Sequence, residues 1–146
     1  MDTKKQLLRE LMRLEKENPT KKITTPGDAF YPLMKWSKKK QEHFIVMSLD
    51  GASHIIKTKA ITIGTANRTL VSPREVFIEA MKNNAVSVIL AHNHPSGNLE
   101  PSGDDKKLFL KMQEACKIMS INLLDFIIFG ETGYYSFAGQ GLISGV

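Results

Sequence analysis

The sequence predicts an α/β or α+β domain with a mixed β-sheet flanked by helices, and three patterns in it support this fold class. Two β-rich runs, 42–50 and 53–65, adjoin at an Asp-Gly pair that is typical of a hairpin. A short apolar run at 85–91 is typical of a strand that is buried on both faces. Helical apolar spacing occurs before and after that run, so strands and helices alternate along the chain.

The amino-terminal part predicts a helix followed by a linker. Leucines and a methionine recur at helical spacing over residues 6–17, and Asn18-Pro19 is expected to end that helix. Residues 21–24 are interpreted as a linker or a short strand. The predicted organisation is therefore an N-terminal helix and linker, 1–23, and one domain, 24–146.

Two further helices are predicted from their start and stop signals. Thr25 and Pro26 are typical of a cap and a first helical turn, and Pro32 is expected to kink or end that helix early. Residues 72–75, Ser-Pro-Arg-Glu, have the form of a capping box, and Asn83-Asn84 ends the helix that follows it. Both helices precede strand patterns, as the fold class requires.

The carboxyl-terminal half predicts a loop, a long helix and a final pair of strands. A polar loop covers 92–103, and an amphipathic helix follows over about 104–119. Strands are expected at 122–129 and 134–137 around the turn 130–133.

Composition limits the class of protein. The chain has 146 residues, of which 42% are hydrophobic and 24% charged, which suits one globular domain without a membrane-spanning run. The single cysteine, Cys116, excludes an internal disulfide framework and a cysteine-rich zinc finger. With no secretory signal pattern, a reducing, cytoplasmic setting is expected. The net charge of +5 permits contact with nucleic acid without requiring it.

A pair of histidines suggests a metal site. His92 and His94 stand two residues apart where the buried strand is predicted to end. Alternate residues of a strand point to the same face, so both imidazoles are expected to project together. A catalytic zinc ion usually has three protein ligands and one open position, so a third ligand is needed.

The long helix offers that third ligand. At about 100° per residue, Asp105 lies about 23° from the centre of the apolar face, whereas Asp104 lies about 77° away. A carboxylate that points into the fold needs a partner, and a metal held by two histidines would be one. The alternative is a plain helix cap, with Ser102 at the N-cap and Asp105 at the third helical position.

The spacing His-x-His, seven residues, Ser-x-x-Asp resembles that of JAMM/MPN-type zinc metallopeptidases. The four matching residues are His92, His94, Ser102 and Asp105. The longer string His-Asn-His-Pro-Ser-Gly, together with residues 73–77, resembles the RadC branch of that superfamily. The resemblance covers the chain from about Thr24 onward and implies a cytidine-deaminase-like JAMM/MPN core. One departure is Phe126, where the branch usually has histidine.

The resemblance also implies a catalytic glutamate on the first strand of the sheet, and the matching residue is Glu42. Spacing and composition alone leave Glu75, Glu79 and Glu100 as rivals. Glu75 is explained as part of a helix cap, and Glu79 is placed on or near the exposed side of its helix. Glu100 lies in the same loop as the histidines and is the stronger rival.

The mechanism that the resemblance implies is metal-assisted hydrolysis of a peptide or isopeptide bond. Zinc (Zn²⁺) bound by His92, His94 and Asp105 would activate a water molecule. Glu42 would accept a proton from that water and pass it to the leaving amine. Ser102 would donate a hydrogen bond to the oxyanion, and this role would compete with its role as a helix cap.

Two other classes of function stay open: a DNA-repair-associated or DNA-binding module, which the RadC resemblance implies, and a metal-dependent nuclease with the same ligands. Expected partners are a peptide or protein substrate, possibly DNA, and a second copy of the chain through an exposed sheet edge. The remaining histidines, His43 and His54, are interpreted as surface or core residues, and Cys116 as a packing residue.

Overall fold

A computed structural model describes residues 3–17, 22–63 and 71–143 of the chain. The α-helices in these ranges are α1 (Thr3–Glu17), α2 (Pro26–Leu33), α3 (Pro73–Lys82) and α4 (Gly103–Met119). A short 3-10 helix, Met34–Trp36, follows α2 directly. The strands are β1 (His43–Leu49), β2 (Ile55–Ile63), β3 (Ser87–Asn93), β4 (Asn122–Phe129) and β5 (Tyr134–Ser136). The division of the chain at residue 23 stays a prediction.

All five strands belong to one sheet with the order β2-β1-β3-β4-β5. Only the pair β3 and β4, which α4 connects, is parallel, and the other three neighbouring pairs are antiparallel. The predicted mixed sheet with flanking helices is therefore confirmed. Because β1 is antiparallel to β3, the amino end of β1 and the carboxyl end of β3 lie at the same edge of the sheet.

Strand side chains alternate between two apolar layers, one on each face of the sheet. The layer against α3 and α4 includes Phe44, Val46, Val76, Phe77, Leu90, Leu108, Phe109, Met112 and Phe126. The layer against α2 includes Ala29, Leu33, Ile45, Met47, Ile89, Ala91 and Ile127. Leu90 faces α4, so His92, two residues further along β3, faces α4 as well.

Most element bounds differ from the predicted ones by only a few residues. β3 runs over Ser87–Asn93 instead of 85–91, because the Ala85 amide still bonds to the Ala80 carbonyl at the end of α3. His92 is consequently a strand residue. The predicted helix stop at Asn18-Pro19 and the end of the second β-run at residues 64–65 lie outside the described residues.

Helix α2 begins with a carboxylate that binds backbone amides. Asp28 Oδ2 accepts hydrogen bonds from the amides of Thr24 and Thr25, at 2.9 and 3.0 Å, and from the Thr24 hydroxyl. These bonds hold the pKa of Asp28 at about 2, below its usual range. The helix ends at Leu33, one residue after Pro32, and continues as the 3-10 helix, which agrees with the early end that the proline predicts.

The capping box predicted at residues 72–75 is wrong, although α3 starts where expected. Ser72 occupies the N-cap with extended backbone, but its side chain makes no capping hydrogen bond. The exposed Glu75 carboxylate lies 3.4 Å from the Arg74 guanidinium instead of folding back over the helix end. The Glu75 side chain therefore pairs with the neighbouring arginine in solvent and does not cap the helix.

The predicted exposure of Glu79 is also wrong, since this side chain is only 4% exposed. Its carboxylate accepts a hydrogen bond of 2.7 Å from the Asn83 amide and lies 3.7 Å from Lys59 Nζ on β2. An ammonium group from another element thus compensates for the burial of Glu79, and helical periodicity carries no information about that neighbour. Among the described residues, no helix combines the length and apolar character that crossing a membrane requires.

Candidate metal centre

Three segments meet at the edge of the sheet where β3 ends. His92 lies within β3, and His94 follows that strand directly. Asp105 lies in the first turn of α4, and Glu42 directly precedes β1. The structure therefore brings together four side chains predicted for the site, from positions that are far apart in the sequence. Their chemical roles stay predictions.

The distances between these side chains are short. His92 Nε2 lies 3.1 Å from Asp105 Oδ1, and His94 Nε2 lies 3.3 Å from Asp105 Oδ2. His92 Nδ1 lies 2.9 Å from Glu42 Oε1. The Asp105 side chain is fully buried, as its helical position predicts, and those of His94 and Glu42 are 10% and 14% exposed. The cluster is compact, with a small opening to solvent beside His94 and Glu42.

Hydrogen bonding determines which nitrogen of His94 faces the cluster. His94 Nδ1 lies 2.6 Å from the carbonyl oxygen of Asn98, which can only accept, so Nδ1 must carry the hydrogen. In the neutral ring, Nε2 then has a lone pair, and this lone pair faces Asp105. Two electron-rich groups at 3.3 Å are stabilised only when a cation or a proton lies between them.

His92 also lies beside carboxylate oxygens, and it is more deeply buried than His94. Neither of its ring nitrogens makes a hydrogen bond with acceptable geometry to any described group, although both lie close to carboxylate oxygens. Burial lowers the pKa of His92, but the carboxylates of Asp105 and Glu42 outweigh burial and raise it overall. Burial likewise raises the pKa of Asp105, and the two imidazoles outweigh it and lower that pKa. The cluster thus attracts positive charge.

The donor set fits a zinc-sized cation. With zinc–ligand bonds of about 2.0–2.2 Å and tetrahedral angles, neighbouring ligand atoms stand about 3.3–3.5 Å apart. The observed separations from Asp105 to the two histidines are 3.1 and 3.3 Å, and one atom each from Glu42, His92 and His94 lie within 4.8 Å of one another. Two imidazoles and one carboxylate are ordinary zinc ligands. This cluster could therefore hold a metal ion.

Ser102 and Asp105 also form a helix cap, as the alternative interpretation expects. The Asp105 amide donates to Ser102 Oγ at 3.1 Å, and the Ser102 amide donates to Asp105 Oδ2 at 2.8 Å. The cap and the contacts to the histidines coexist, because Oδ1 faces His92 while Oδ2 accepts from the Ser102 amide and also faces His94. The Ser102 hydroxyl oxygen accepts in this cap, which leaves its own hydrogen for donation, and the expected competition with an oxyanion role stays a prediction.

Aromatic rings surround the buried side of His92. The ring of Phe44 lies nearly parallel to His92 with centroids 6.3 Å apart, and Phe126 meets it edge-on at 5.9 Å. Phe126 is also packed against Phe109 and Phe137. The residue at which this chain departs from the RadC branch is therefore an apolar wall behind His92 that excludes water from that side.

The rival candidates lie elsewhere. Glu100 is exposed in the loop before α4, whereas Glu42 contacts His92. His43 is buried with Nδ1 bonded to the Gln41 carbonyl, and the half-exposed His54 lies beside Asp50. Both positions agree with the interpretation of these histidines as core and surface residues.

The thiol of Cys116 is buried in α4, which confirms its interpretation as a packing residue. Burial raises the pKa of this thiol to about 11, so it is protonated and unreactive near neutral pH.

Sequence reasoning missed one residue of this region, Asn93, which is fully buried between the two histidines. Its side-chain amide bonds to backbone groups on both sides of Glu42. A buried asparagine inside a His-x-His pattern is the only signal that the sequence contains for it.

Comparisons with known proteins identify the family of this chain. A family model described as the RadC-like JAB domain matches residues 23–142. A UPF0758 protein of Pelodictyon phaeoclathratiforme is 42% identical over 127 residues, covering 86% of this chain and 57% of that protein. A UPF0758 protein of Methanosarcina barkeri is 41% identical over 130 residues, covering 87% of this chain and 56% of that protein.

A third relative, a UPF0758 protein of Methanospirillum hungatei, is 50% identical over 93 residues, covering 64% of this chain and 41% of that protein. The chain thus spans little more than half the length of the first two relatives, at 57% and 56%. The family model, in contrast, covers nearly all of the residues that build the sheet and the cluster. By its sequence and its fold, the chain belongs to the RadC-like JAB domain family.

Proposed function

We propose that this domain is a zinc-dependent hydrolase of peptide or isopeptide bonds. The observation that carries the proposal is the pair of histidine Nε2 atoms directed at the two oxygens of Asp105, at 3.1 and 3.3 Å. His92, His94 and Asp105 would hold the ion, which would supply Lewis acidity and an acidified water molecule at neutral pH. The substrate class comes from the JAMM resemblance.

Glu42 and Ser102 would supply the proton transfer and the hydrogen bonding. The Glu42 carboxylate is 14% exposed and reaches the cluster from the β1 side, where it can accept a proton and later donate it to a leaving amine. The Ser102 hydroxyl accepts from the Asp105 amide, so its hydrogen can point toward a substrate oxygen. Asp105 links Ser102 to the histidines, because it caps α4 together with Ser102 and also contacts both imidazoles.

The test is metal analysis combined with activity assays on the zinc-loaded protein and matched glutamate variants. We expect about one zinc per chain, lost in His92→Ala and Asp105→Asn. Glu42→Gln should keep the zinc and reduce peptide or isopeptide hydrolysis at least ~100-fold, since a general base typically contributes that much. Glu100→Gln, a neutralised glutamate outside the cluster, should keep both the metal and the activity.

The other readings of the sequence give different results in the same experiment. Absence of metal binding, or full activity in Glu42→Gln, would contradict the proposal. Cleavage of DNA that depends on His92 would favour a nuclease. DNA binding that falls steeply with salt and is unaffected by His92→Ala would favour a binding module. A peptide or protein substrate and DNA are thus proposals that these assays separate. A second copy of the chain is a further proposal, which the oligomeric state in solution tests.

A further inference from the structure

Asn93 is a fully buried polar residue with a position that metal ligation does not explain. It is the last residue of β3 and stands between His92 and His94 in the sequence. Alternation along the strand turns its side chain to the face opposite the imidazoles. On that face, residues 39–43 run past the end of β3 on their way into β1.

The side-chain amide of Asn93 makes hydrogen bonds with three backbone groups of that segment. The His43 amide donates to Asn93 Oδ1 at 2.6 Å. Asn93 Nδ2 donates to the carbonyl oxygens of Gln41, at 3.0 Å, and Lys39, at 3.3 Å. Gln41 and His43 are the two sequence neighbours of Glu42, so Asn93 binds the backbone on both sides of this glutamate.

The strand register explains why a side chain is needed there. Pairing of β1 with β3 extends to Phe44 opposite His92, and one further step in the same register would place His43 opposite Asn93. Backbone pairing stops before that step. The Asn93 side chain carries a carbonyl acceptor and an NH2 donor group, so it can bond to a neighbouring backbone as a peptide unit does, and it continues the ladder where the backbone leaves it.

We propose that Asn93 is the positioning residue for Glu42. By binding the backbone on both sides of Glu42, it holds that carboxylate beside His92, where Oε1 lies 2.9 Å from Nδ1. The inference rests on the proposed hydrolase function for its consequence, because a general base must stay within hydrogen-bonding reach of its proton. Asn93 itself touches neither the proposed metal position nor a substrate.

The structure offers a matched control in Asn83. Its side-chain amide also connects separate elements, bonding to Ser48 Oγ at 3.2 Å and to the carbonyl and carboxylate of Glu79 at 3.0 and 2.7 Å. Asn83→Ser therefore removes a similar amide at the end of α3, beside Ser48 at the opposite end of β1 from Glu42. Asn93→Ser is the corresponding change, and Asn93→Leu keeps the branched shape of the side chain while removing every hydrogen bond that it makes.

The experiment compares these variants in the full chain with zinc added, by metal analysis, by ¹⁵N relaxation of backbone amides and by hydrolysis kinetics. All variants should keep the zinc content of the parent protein. The order parameter of the Glu42 amide should fall from about 0.85 toward about 0.6 in both Asn93 variants and remain high in Asn83→Ser. Hydrolysis should lose at least ~10-fold in kcat with KM unchanged in the Asn93 variants alone.

The relaxation data decide the inference independently of activity. Unchanged order at Glu42 in Asn93→Ser would overturn it, and so would loss of zinc from that variant, which would show that Asn93 supports the neighbouring histidines and not Glu42. The serine hydroxyl in Asn93→Ser can still bond to one of the backbone groups that lose their partner. This variant therefore allows the test if Asn93→Leu does not fold. Absence of hydrolysis in the parent protein would overturn the proposed function while the Glu42 amide still reports on Asn93.

Discussion

Asp105 both caps helix α4 and contacts the two histidines of the site. One oxygen accepts a hydrogen bond from the Ser102 amide at 2.8 Å, which caps α4, and both oxygens approach the histidines. A carboxylate also favours the positive end of the helix dipole. The cap therefore fixes the orientation of the Asp105 carboxylate, and the carboxylate contacts both imidazoles. One side chain thus serves the start of the helix and the proposed metal site.

Substitutions can separate the capping role of Asp105 from its proposed role in metal binding. Asp105→Asn keeps an oxygen for the Ser102 amide but loses the charge, so it should lose zinc binding with little change in the fold. Ser102→Ala removes the cap and should cost about 1 kcal/mol of unfolding free energy while keeping the zinc. Metal analysis and urea denaturation of both variants check this. Zinc retained by Asp105→Asn, or lost by Ser102→Ala, would contradict it.

The helices differ in what holds their first turns. The start of α2 is held by Asp28 and the start of α4 by Ser102 and Asp105, whereas Ser72 at the start of α3 makes no side-chain cap. Of these three helices, α4 alone places its cap within the proposed site. An N-cap residue type in the sequence thus marks where a helix begins, but not whether its side chain contributes to stability.

At the scale of the element, Asp28 makes the stability of α2 dependent on pH. Its folded pKa of about 2 lies below the ordinary value of 3.8, so its charged form stabilises the fold above the ordinary value. This contribution is lost as the pH falls through about 2. Asp28→Ala should cost about 1 kcal/mol at neutral pH and much less at about pH 2, while Ser72→Ala should cost at most a few tenths of that. Denaturation curves at both pH values measure the difference, and a cost of Asp28→Ala that does not change with pH would refute the assignment.

The proposed metal centre exists only in the complete fold. Its members come from the segment before β1, the end of β3 and the start of α4, and none of these segments pairs with the others in an unfolded chain. A ligand that binds the folded state alone stabilises it by mass action. The close approach of His94 Nε2 to Asp105 Oδ2 predicts the same direction, since a cation held between them would stabilise the folded arrangement.

Removal of metal should accordingly lower the stability of the whole molecule. Chelation should reduce the unfolding midpoint, and zinc at about 100-fold above its dissociation constant should restore about 2.7 kcal/mol. His94→Ala, which removes a ligand that is 10% exposed, should make the midpoint insensitive to both treatments. Calorimetry of the two proteins with and without chelator gives the comparison. Equal midpoints for the parent protein under both conditions would speak against a structural metal.

Local patterns predicted most of the fold because they report contacts between residues that are close in sequence. The inward direction of Asp105 follows from the period of 3.6 residues, the buried strand from its run of apolar residues, and the end of α3 from the Asn83-Asn84 pair. The predicted exposure of Glu79 is wrong because its burial depends on a contact between residues that are far apart in the sequence. Its neighbour Lys59 comes from β2, and the charge pair that permits burial of Glu79 has no counterpart in helical periodicity.

By itself, the sequence determined the order of the elements, the two histidines at the end of β3 and the carboxylate at the start of α4. The choice of Glu42 over Glu100 needed the family resemblance, and only the tertiary structure showed Glu42 against His92. Asn93 appeared from the structure alone, because its partners lie about 50 residues away in the chain. Spacing along a chain encodes which face a residue occupies, whereas sheet pairing decides which distant residues that face meets.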